Sequence, residues 1–337
     1  MRKLDILVPH YDEPAEVIQP LLDSIAMQQN VDFNEIGVII CHDGADIPEF
    51  CFTDCLNITG GITLPDRYPF AIEQVNIRHG GVSAARNGAL LESCAEYVMF
   101  CDADDMFFNA CGLWVFFRDA AAEEFDTYVS SFLEETRTAD TGKPIYLLHT
   151  DDCTFVHGKI HRRQYLIEQN IRWNEALTVH EDSYFNILCQ SLTDKVFRCP
   201  TAFYLWKYRQ ASVCRHDPKY LLKTYHNLID SNDALIQEFR RRGKEDKEKF
   251  YAVTGILDAY YTMNKPEWIN QENREYRDST ERHFAAYYRK YRDVWESVGE
   301  KEKLIASNQI RSRKLYEGMG MENVTISDWL RHIESLT

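Results

Sequence analysis

Residues 97–105 of the chain, YVMFCDADD, decide which kind of fold the sequence encodes. The apolar run 98–101 is typical of a short buried strand, and Asp102, Asp104 and Asp105 follow it directly. Like charges crowded at the end of a buried strand are costly unless a cation lies among them. Side chains alternate along an extended chain, so we expect Asp102 and Asp104 to point the same way and Asp105 elsewhere. The pattern predicts Mg²⁺ or Mn²⁺ held by Asp102 and Asp104; the alternative is an acidic turn that caps the next helix.

Length and composition predict an ordinary globular protein. The 337 residues are 45% hydrophobic, which is enough for one large α/β domain and a smaller one. No run approaches the roughly 18 apolar residues that a membrane span needs, and charge and proline come too early for a signal peptide. The ten cysteines show no CxxC pair and no zinc spacing, so we expect reduced thiols. These features predict a cytoplasmic protein without a membrane span.

The net charge of −15 is distributed unevenly along the chain. Residues 1–216 carry all of the excess acid, whereas residues 217–337 hold equal numbers of acidic and basic side chains. Proteins that bind duplex DNA or an anionic membrane present a basic face, because phosphate contacts dominate their affinity. Nucleic acid is therefore a disfavoured partner.

The first third of the sequence alternates between strand and helix patterns. Strands are predicted at 4–8, 36–41, 71–77 and 98–101, a helix at 17–25, and a loop that enters a helix over 80–91. Repeated βα units favour a mainly parallel sheet, which binds ligands beyond the carboxyl ends of its strands. Asp43 and Asp102 each follow a predicted strand, so we expect both at that edge.

The remaining sequence predicts a less regular α/β region and then a helical one. The region before residue 216 has strand patterns at 127–133, 145–149, 196–199 and 203–208, and helix patterns at 162–170 and 182–192. Residues 217–337 show amphipathic helices instead, for example at 221–229, 268–298 and 327–336.

The helical region is rich in aromatic residues. Their number exceeds what a small solvated appendage exposes. We therefore expect this region to bind an acceptor, to form a homodimer interface, or to pack its aromatic side chains inward. The residues are Tyr225, Phe239, Phe250, Tyr251, Tyr260, Tyr261, Trp268, Phe284, Tyr287, Tyr288 and Trp295.

Five segments in order resemble family 2 glycosyltransferases with the GT-A fold. They are VPHYDEP (8–14), CHDG (41–44), HGGVSAARNGALLESCAEYVMFCDADD (79–105), VHGKIHRRQYL (156–166) and NEALTVHEDSYFN (174–186). The resemblance covers about residues 1–216. It implies an α/β GT-A catalytic domain over 1–216, followed by a helical domain over 217–337. It also implies an inverting, metal-dependent transferase that uses a nucleotide sugar.

The resemblance also implies roles for individual residues in nucleotide binding. Pro9 and Tyr11 would line the base pocket, Glu13 would lie near the ribose, and Asp43 would contact the base. The Arg86-Asn87 pair matches the helix beside the nucleotide.

The resemblance further assigns the metal and the base. Asp102-Ala103-Asp104 matches the metal motif, and Asp182 of Glu181-Asp182 matches the catalytic base. Lys159, Arg78 or Arg209 could add positive charge near a diphosphate.

Each of these side chains has a structural alternative. Arg86 can bind a helix end, Lys159 can be solvated, and Glu181-Asp182 can cap a helix. Further candidates are His157, His180 and His216 as metal or substrate contacts, and Trp173 and Trp206, which would stack on a sugar or pack in the core.

The predicted function is transfer of a hexose or N-acetylhexosamine from a UDP-sugar to an acceptor hydroxyl. Acceptors that fit are a cell-surface polysaccharide precursor, a teichoic-acid-like polymer, or a protein. One alternative is a non-catalytic protein that binds nucleotide sugars or glycans. A sugar-phosphate nucleotidyltransferase would show a GxGTR-type loop after the first strand, and a dinucleotide-dependent oxidoreductase would show GxGxxG; neither motif occurs.

Overall fold

The computed structural model describes residues 2–44, 67–138, 140–209, 217, 219–313 and 324–336. The chain forms two compact units, Met1–Ser212 and Val213–Thr337. The first unit is a sheet with helices, and the second is helical.

The first half of the sheet is parallel. Its strands lie in the order β3-β2-β1-β4, and each pair of neighbours runs in the same direction. Nearly every side chain of β1, β2 and β4 is buried, as expected for strands that are covered on both faces. The elements are β1 (Leu4–His10), α1 (Ala15–Ala26), β2 (Ile36–Asp43), β3 (Ala71–Ile77), α2 (Val82–Glu92) and β4 (Tyr97–Phe100).

The second half of the sheet is mixed, and it continues in the order β4-β8-β6-β9-β5. Strand β8 is antiparallel to both of its neighbours, β9 is parallel to β6, and β7 extends β6 as an antiparallel edge. The predicted parallel arrangement therefore holds for β1 to β4, whereas the second half of the sheet combines the parallel pair β6 and β9 with antiparallel pairs. The elements are β5 (Met106–Phe107), α3 (Gly112–Ala122), β6 (Thr127–Arg137), β7 (Pro144–His149), β8 (Lys159–Arg162), α4 (Arg163–Glu168), α5 (Glu181–Ser191) and β9 (Val196–Trp206).

Several elements differ from the sequence prediction. The segments 196–199 and 203–208 form one strand, β9, because a bulge opposite Ser130–Phe132 lets the ladder continue past Pro200. Elements β5, α3 and β8 were not predicted. Strand β8 contains Lys159 and His161, whose polar side chains hide the apolar pattern although both are buried.

Close packing fixes helix α2 against the sheet. A Cβ atom at Gly88 would lie 2.9 Å from the Sγ of Cys41 on β2, so this helix face requires glycine. The beginning of α2 is thereby held at the carboxyl end of β2, next to Asp43.

The second unit has its own hydrophobic core. None of the eleven aromatic residues is exposed, and Trp268 and Phe284 are completely buried within it. The inward-packing alternative thus accounts for the aromatic content. No helix in the described ranges is long and apolar enough to cross a bilayer. The helices are α6 (Tyr220–Arg241), α7 (Glu245–Met263), α8 (Pro266–Ile269), α9 (Arg274–Ser297), α10 (Glu300–Arg313) and α11 (Ile326–Glu334).

Candidate active site

The acidic residues Asp43 and Asp102 lie at the carboxyl edge of the parallel strands. Asp43 is the last residue of β2, and Asp102 is the second residue after the end of β4. Both strands are parallel to β1, which lies between them, so both carboxylates lie at the carboxyl ends of parallel strands as predicted.

The stretch after β4 is a tight turn. The backbone N–H of Asp105 donates to the carbonyl of Asp102 at 3.2 Å. Strand alternation therefore does not apply here, and the expectation that Asp105 points away from Asp102 is wrong. One ligand atom from each of Asp102, Asp105 and His157 lies within 4.8 Å of the others. Asp104 is not part of this three-residue group.

Asp105 ties the turn to the end of β9. Its carboxylate accepts the hydroxyl of Tyr204 at 2.6 Å and the backbone N–H of Lys207 at 2.9 Å. The Tyr204 oxygen in turn accepts the backbone N–H of Asp102 at 3.2 Å. Burial, together with the charges of Asp102 and Asp104, raises the pKa of Asp105 well above its ordinary value. A cation at this position would relieve that crowding.

His157 has the properties of a metal ligand. Its ring is buried and stacks on Tyr204 and Trp206 at centroid distances of 5.2 and 4.9 Å. Its Nδ1 lies 3.5 Å from Asp105 and has no hydrogen-bond partner among the described residues. Burial lowers the pKa of His157 to about 3, so the imidazole is neutral at physiological pH. Two carboxylates and a neutral imidazole with a free lone pair fit a divalent cation.

Asp104 lies on the more exposed side of the turn. Its side chain is 30% exposed and lies 3.4 Å from the guanidinium of Arg209. Burial and the neighbouring Asp102 raise the pKa of Asp104, while Arg209 opposes this effect. Asp102 is similarly accessible, with 32% of its side chain exposed.

Arg86 connects the turn after β4 with helix α5. Its Nη2 donates to Asp102 at 2.8 Å and its Nη1 donates to Glu181 at 2.9 Å. The side chain is only 4% exposed, and its guanidinium lies 4.3 Å above the ring of Trp173. Burial opposes the charge, but the Asp102 and Glu181 carboxylates raise the pKa of Arg86. The structural alternative for Arg86 was that it binds a helix end. This is partly the case, because its partner Glu181 is the first residue of α5.

Trp173 packs against the guanidinium of Arg86. It is buried and stacks on Phe185 at 4.1 Å. The side chain of Asn87 bonds to both the carbonyl and the N–H of Trp173, at 2.9 and 3.0 Å. Core packing therefore accounts for Trp173, and a sugar cannot reach its face.

Asp182 is the second residue of α5 and accepts the backbone N–H of Ser183 at 2.8 Å. Burial and the charge of Glu181 raise the pKa of Asp182 to about 7, while Arg86 opposes this effect. The positive end of a helix by itself favours the ionised form of a carboxyl group. For Asp182, burial and the negative charge of Glu181 have a larger effect on the pKa than the helix end has. A carboxylate that titrates near neutral pH suits a general base.

Asp43 organises the loop before α2. Its two carboxylate oxygens accept the N–H groups of Gly80 and Gly81 at 2.7 and 2.8 Å. The ring of His79 adds a contact at 2.9 Å. Gly81 has a φ of 89°, which favours glycine at this turn. The predicted base contact, Asp43, thus has a structural role in shaping this loop.

The loop after β1 lies at the same edge. Tyr11 is exposed, and its ring centroid lies 5.0 Å from that of His79. The backbone N–H of Tyr11 donates to the carboxylate of Glu13 at 3.0 Å. Pro9, next to the end of β1, is partly buried.

The remaining candidates are placed as follows. Lys159 is buried and donates to Asp152 at 2.9 Å, so the solvated alternative is wrong for this lysine. Arg78 follows β3 and is exposed, whereas Ala103 is buried. His180 immediately precedes α5 with a φ of 62°. His216 lies outside the described residues.

Sequence reasoning missed two supporting residues. Tyr204 is far from the acidic turn in sequence, and a tyrosine in a strand carries no signal of its own. Asp105 stands in the motif itself, but strand alternation predicted that its side chain points away from Asp102.

Comparisons with known proteins concern the family and the fold. The family model described as glycosyl transferase family 2 matches residues 5–111, so the resemblance seen in the sequence is confirmed there. A sequence comparison with curated proteins gives no match.

Solved structures of TarS from S. aureus are similar in fold. The chain aligns with TarS at a TM-score of 0.58 and 17% identity, over 93% of this chain and 53% of that chain. It aligns with TarS 1-349 in complex with UDP-GlcNAc at a TM-score of 0.57 and 16% identity, over 92% of both chains. The chain thus spans about half the length of the longer TarS structure. The predicted fold class, a GT-A α/β domain followed by a helical region, is confirmed.

Proposed function

We propose that this chain, a glycosyltransferase whose residues 5–111 match family 2, moves a hexose or N-acetylhexosamine from a UDP-sugar to an acceptor hydroxyl with inversion. The observation that carries the proposal is the position of Arg86. Its guanidinium binds Asp102 of the acidic turn and Glu181 next to Asp182. Two motifs about 80 positions apart in the sequence are thereby held at one place.

Asp182 acts as the catalytic base in this proposal. Its pKa of about 7 allows the carboxylate to be ionised and still able to take a proton from the acceptor hydroxyl. The acceptor oxygen then forms a bond to the anomeric carbon while the bond to the diphosphate breaks. The proton goes to Asp182, and the electron pair leaves with UDP. A single displacement of this kind inverts the anomeric configuration.

A bound Mn²⁺ or Mg²⁺ supplies positive charge that stabilises the leaving diphosphate. Asp102 and Asp104 would hold it on the exposed side of the turn. Asp102, Asp105 and His157 would be an alternative set of ligands, supported by Nδ1 of His157, which has no hydrogen-bond partner in the part of the chain that the structure describes. Arg209 adds positive charge beside Asp104.

The nucleotide would bind across the ends of β1 and β2. Pro9 and Tyr11 would contact the base, Glu13 would lie near the ribose, and Asp43 would act through the glycine loop that it holds. Arg86, Ala103, Arg78 and Lys159 complete the proposed nucleotide-binding set. TarS 1-349 is described in complexes with UDP and with UDP-GlcNAc, which makes these two ligands the first to test.

The acceptor is proposed to be a polysaccharide precursor, a teichoic-acid-like polymer or a protein. Residues 1–216 would form the catalytic domain, and the helical domain over 217–337 would bind the acceptor or form a homodimer. The inward packing of its aromatic residues argues against a large apolar dimer interface built from them. We propose that the protein acts in the cytoplasm, where nucleotide sugars are made.

The test is a donor assay on the intact chain with UDP-glucose, UDP-GlcNAc and UDP-GalNAc, each with Mn²⁺, Mg²⁺ or a chelator. We expect metal-stimulated release of UDP from one donor, and NMR of the product should show a β linkage from an α-linked donor. Binding of UDP-sugars without release of UDP, with and without acceptors, would support the non-catalytic binding protein instead. A product that retains configuration would exclude Asp182 as the base of a single displacement.

A further inference from the structure

Two histidines face each other across the ends of the first two strands. His10 ends β1, and His42 is its partner in the register with β2. Both imidazoles are buried, and their Nδ1 atoms lie 2.8 Å apart. Buried polar groups are costly unless they are hydrogen-bonded. No role described above uses either ring.

The contacts of His10 define the direction of its hydrogen bonds. Its Nε2 lies 2.8 Å from the backbone carbonyl oxygen of Glu13. A carbonyl oxygen only accepts, so Nε2 of His10 carries a proton. With both buried rings neutral, Nδ1 of His10 is the acceptor and Nδ1 of His42 is the donor.

The other side of His42 is held by β3. Its Nε2 lies 3.1 Å from the side-chain oxygen Oε1 of Gln74. An oxygen there would place the proton of His42 on Nε2 and leave no proton between the two Nδ1 atoms, because Nε2 of His10 already carries the proton of its ring. We therefore turn the Gln74 amide by 180°, so that its NH₂ group donates to Nε2 of His42 and the proton of His42 lies on Nδ1. Burial and the neighbouring His10 lower the pKa of His42, which favours the neutral ring. A chain of hydrogen bonds therefore runs from Gln74 through His42 and His10 to Glu13.

This chain ends in the loop that follows β1. The carbonyl of Glu13 is held by His10, and the carboxylate of Glu13 accepts the N–H of Tyr11. The proton position on one ring nitrogen of a histidine is set by the hydrogen bond of the other. Without the donor from His42, His10 could carry its proton on Nδ1. Its Nε2 lone pair would then face the Glu13 carbonyl and release the loop.

We propose that His42 is a positioning residue for nucleotide binding, which fixes the tautomer of His10 and so holds residues 11–13 in the shape that receives the base. This inference rests on the proposed function, because that function assigns Tyr11 and Glu13 to the nucleotide pocket.

The test compares two substitutions of His42 in the intact chain. His42→Leu removes the donor, whereas His42→Asn keeps an amide N–H near the position of Nδ1. We expect His42→Leu to weaken UDP binding about tenfold in calorimetry, which is the effect of losing one buried hydrogen bond. His42→Asn should stay within about threefold of the wild type, since it preserves the same bond. The KM for the donor should follow UDP affinity while kcat is unchanged.

The matched control is His161→Leu. His161 is equally buried, but it lies on β8 and contacts Thr127. This control should leave UDP binding unchanged. Thermal unfolding of all three variants checks that they fold.

A second measurement reads the tautomers directly. Long-range ¹H–¹⁵N spectra at about pH 7.5 should show the proton on Nε2 of His10 and on Nδ1 of His42. The inference is overturned if His42→Leu binds UDP like the wild type, if His42→Asn loses as much affinity as His42→Leu, or if the tautomers are reversed. If the wild-type chain binds no UDP, the proposed function fails, and the spectra still decide the tautomer assignment.

Discussion

Glu181-Asp182 and Glu245-Asp246 are the same dipeptide, and each forms the first two residues of a helix, α5 in the first unit and α7 in the second. Glu245 and Asp246 are exposed. Glu181 is nearly buried and bound by Arg86, and the pKa of Asp182 is raised to about 7. The same dipeptide at a helix start therefore does not by itself give a carboxyl group with a raised pKa. Burial and nearby charges in the folded chain make the difference.

The same contrast extends to the two units as a whole. The first unit buries ionisable side chains at the carboxyl edge of its sheet, including Arg86, Asp105 and His157. The second unit buries Glu281 together with uncharged polar residues, and many of its ion pairs are solvent-exposed. Buried charges are costly in folding, so their concentration at one edge is evidence for function there.

The largest effect on kcat is expected from replacing the aspartate of one dipeptide, Asp182, and not that of the other, Asp246. Asp182→Asn keeps the shape of the side chain and removes its basicity, so we expect kcat to fall by roughly 10² to 10⁴. Asp246→Asn makes the same change at an exposed helix start and should leave kcat unchanged. UDP affinity, measured by calorimetry, should persist in both variants. Near-normal turnover of Asp182→Asn would remove this residue from the mechanism.

The next largest effect is expected on the free energy of unfolding, and it should differ between buried Arg86 and half-exposed Arg240. Arg86→Gln leaves Asp102 and Glu181 without their shared partner, and we expect a loss of about 3 to 5 kcal/mol in unfolding free energy. Arg240→Gln breaks a half-exposed pair with Glu248 in the second unit, where we expect a loss of at most about 1 kcal/mol. Urea unfolding of each variant measures both values. Equal losses of unfolding free energy would show that Arg86 stabilises the fold no more than an exposed arginine does.

A third experiment locates the metal within the acidic turn. Asp104→Asn should weaken the Mn²⁺-dependent part of UDP binding by about tenfold or more, because an amide cannot replace the carboxylate charge. Calorimetry with Mn²⁺ and with a chelator separates this part from the metal-independent part. If only Asp105→Asn removes the metal effect, the cation lies in the group with His157. If UDP binding is indifferent to the chelator and to both substitutions, the metal assignment is wrong.

A substitution of Asp43 tests the part of UDP binding that does not depend on a metal. Asp43→Ala removes the acceptor for two backbone N–H groups of the glycine loop, so we expect weaker UDP binding even in the chelator. Unchanged metal-free affinity would show that this loop does not shape the nucleotide pocket.

The smallest expected effect is a dependence of turnover on pH. The pKa of Asp182 is raised to about 7, and the base must be ionised to accept a proton. The rate should therefore be nearly constant above pH 8, about half of its maximum at pH 7, and fall about tenfold per unit below pH 6. The Asp182→Asn variant should lack this acidic limb. An acidic limb centred near pH 4 would mean that the carboxylate titrates as in water.

The parallel half of the sheet and the motifs at its edge could be predicted from the amino-acid sequence. Continuous apolar runs identify buried strands, and the alternation of strands with helices orders them in parallel. The position of Asp43 and Asp102 after such strands follows directly, because parallel strands share one carboxyl edge. The order of the five family segments further indicated the GT-A fold.

The contacts that these residues make in the folded chain could not be predicted in the same way. The turn after Phe100 brings Asp105 rather than Asp104 to His157, because the chain leaves the extended conformation there. Arg86 joins Asp102 to Glu181 across about 80 residues, and burial raises the pKa of Asp182 where the helix end alone would lower it. Local sequence sets backbone preferences over a few residues. Burial and charge coupling depend on segments that meet only when the chain has folded.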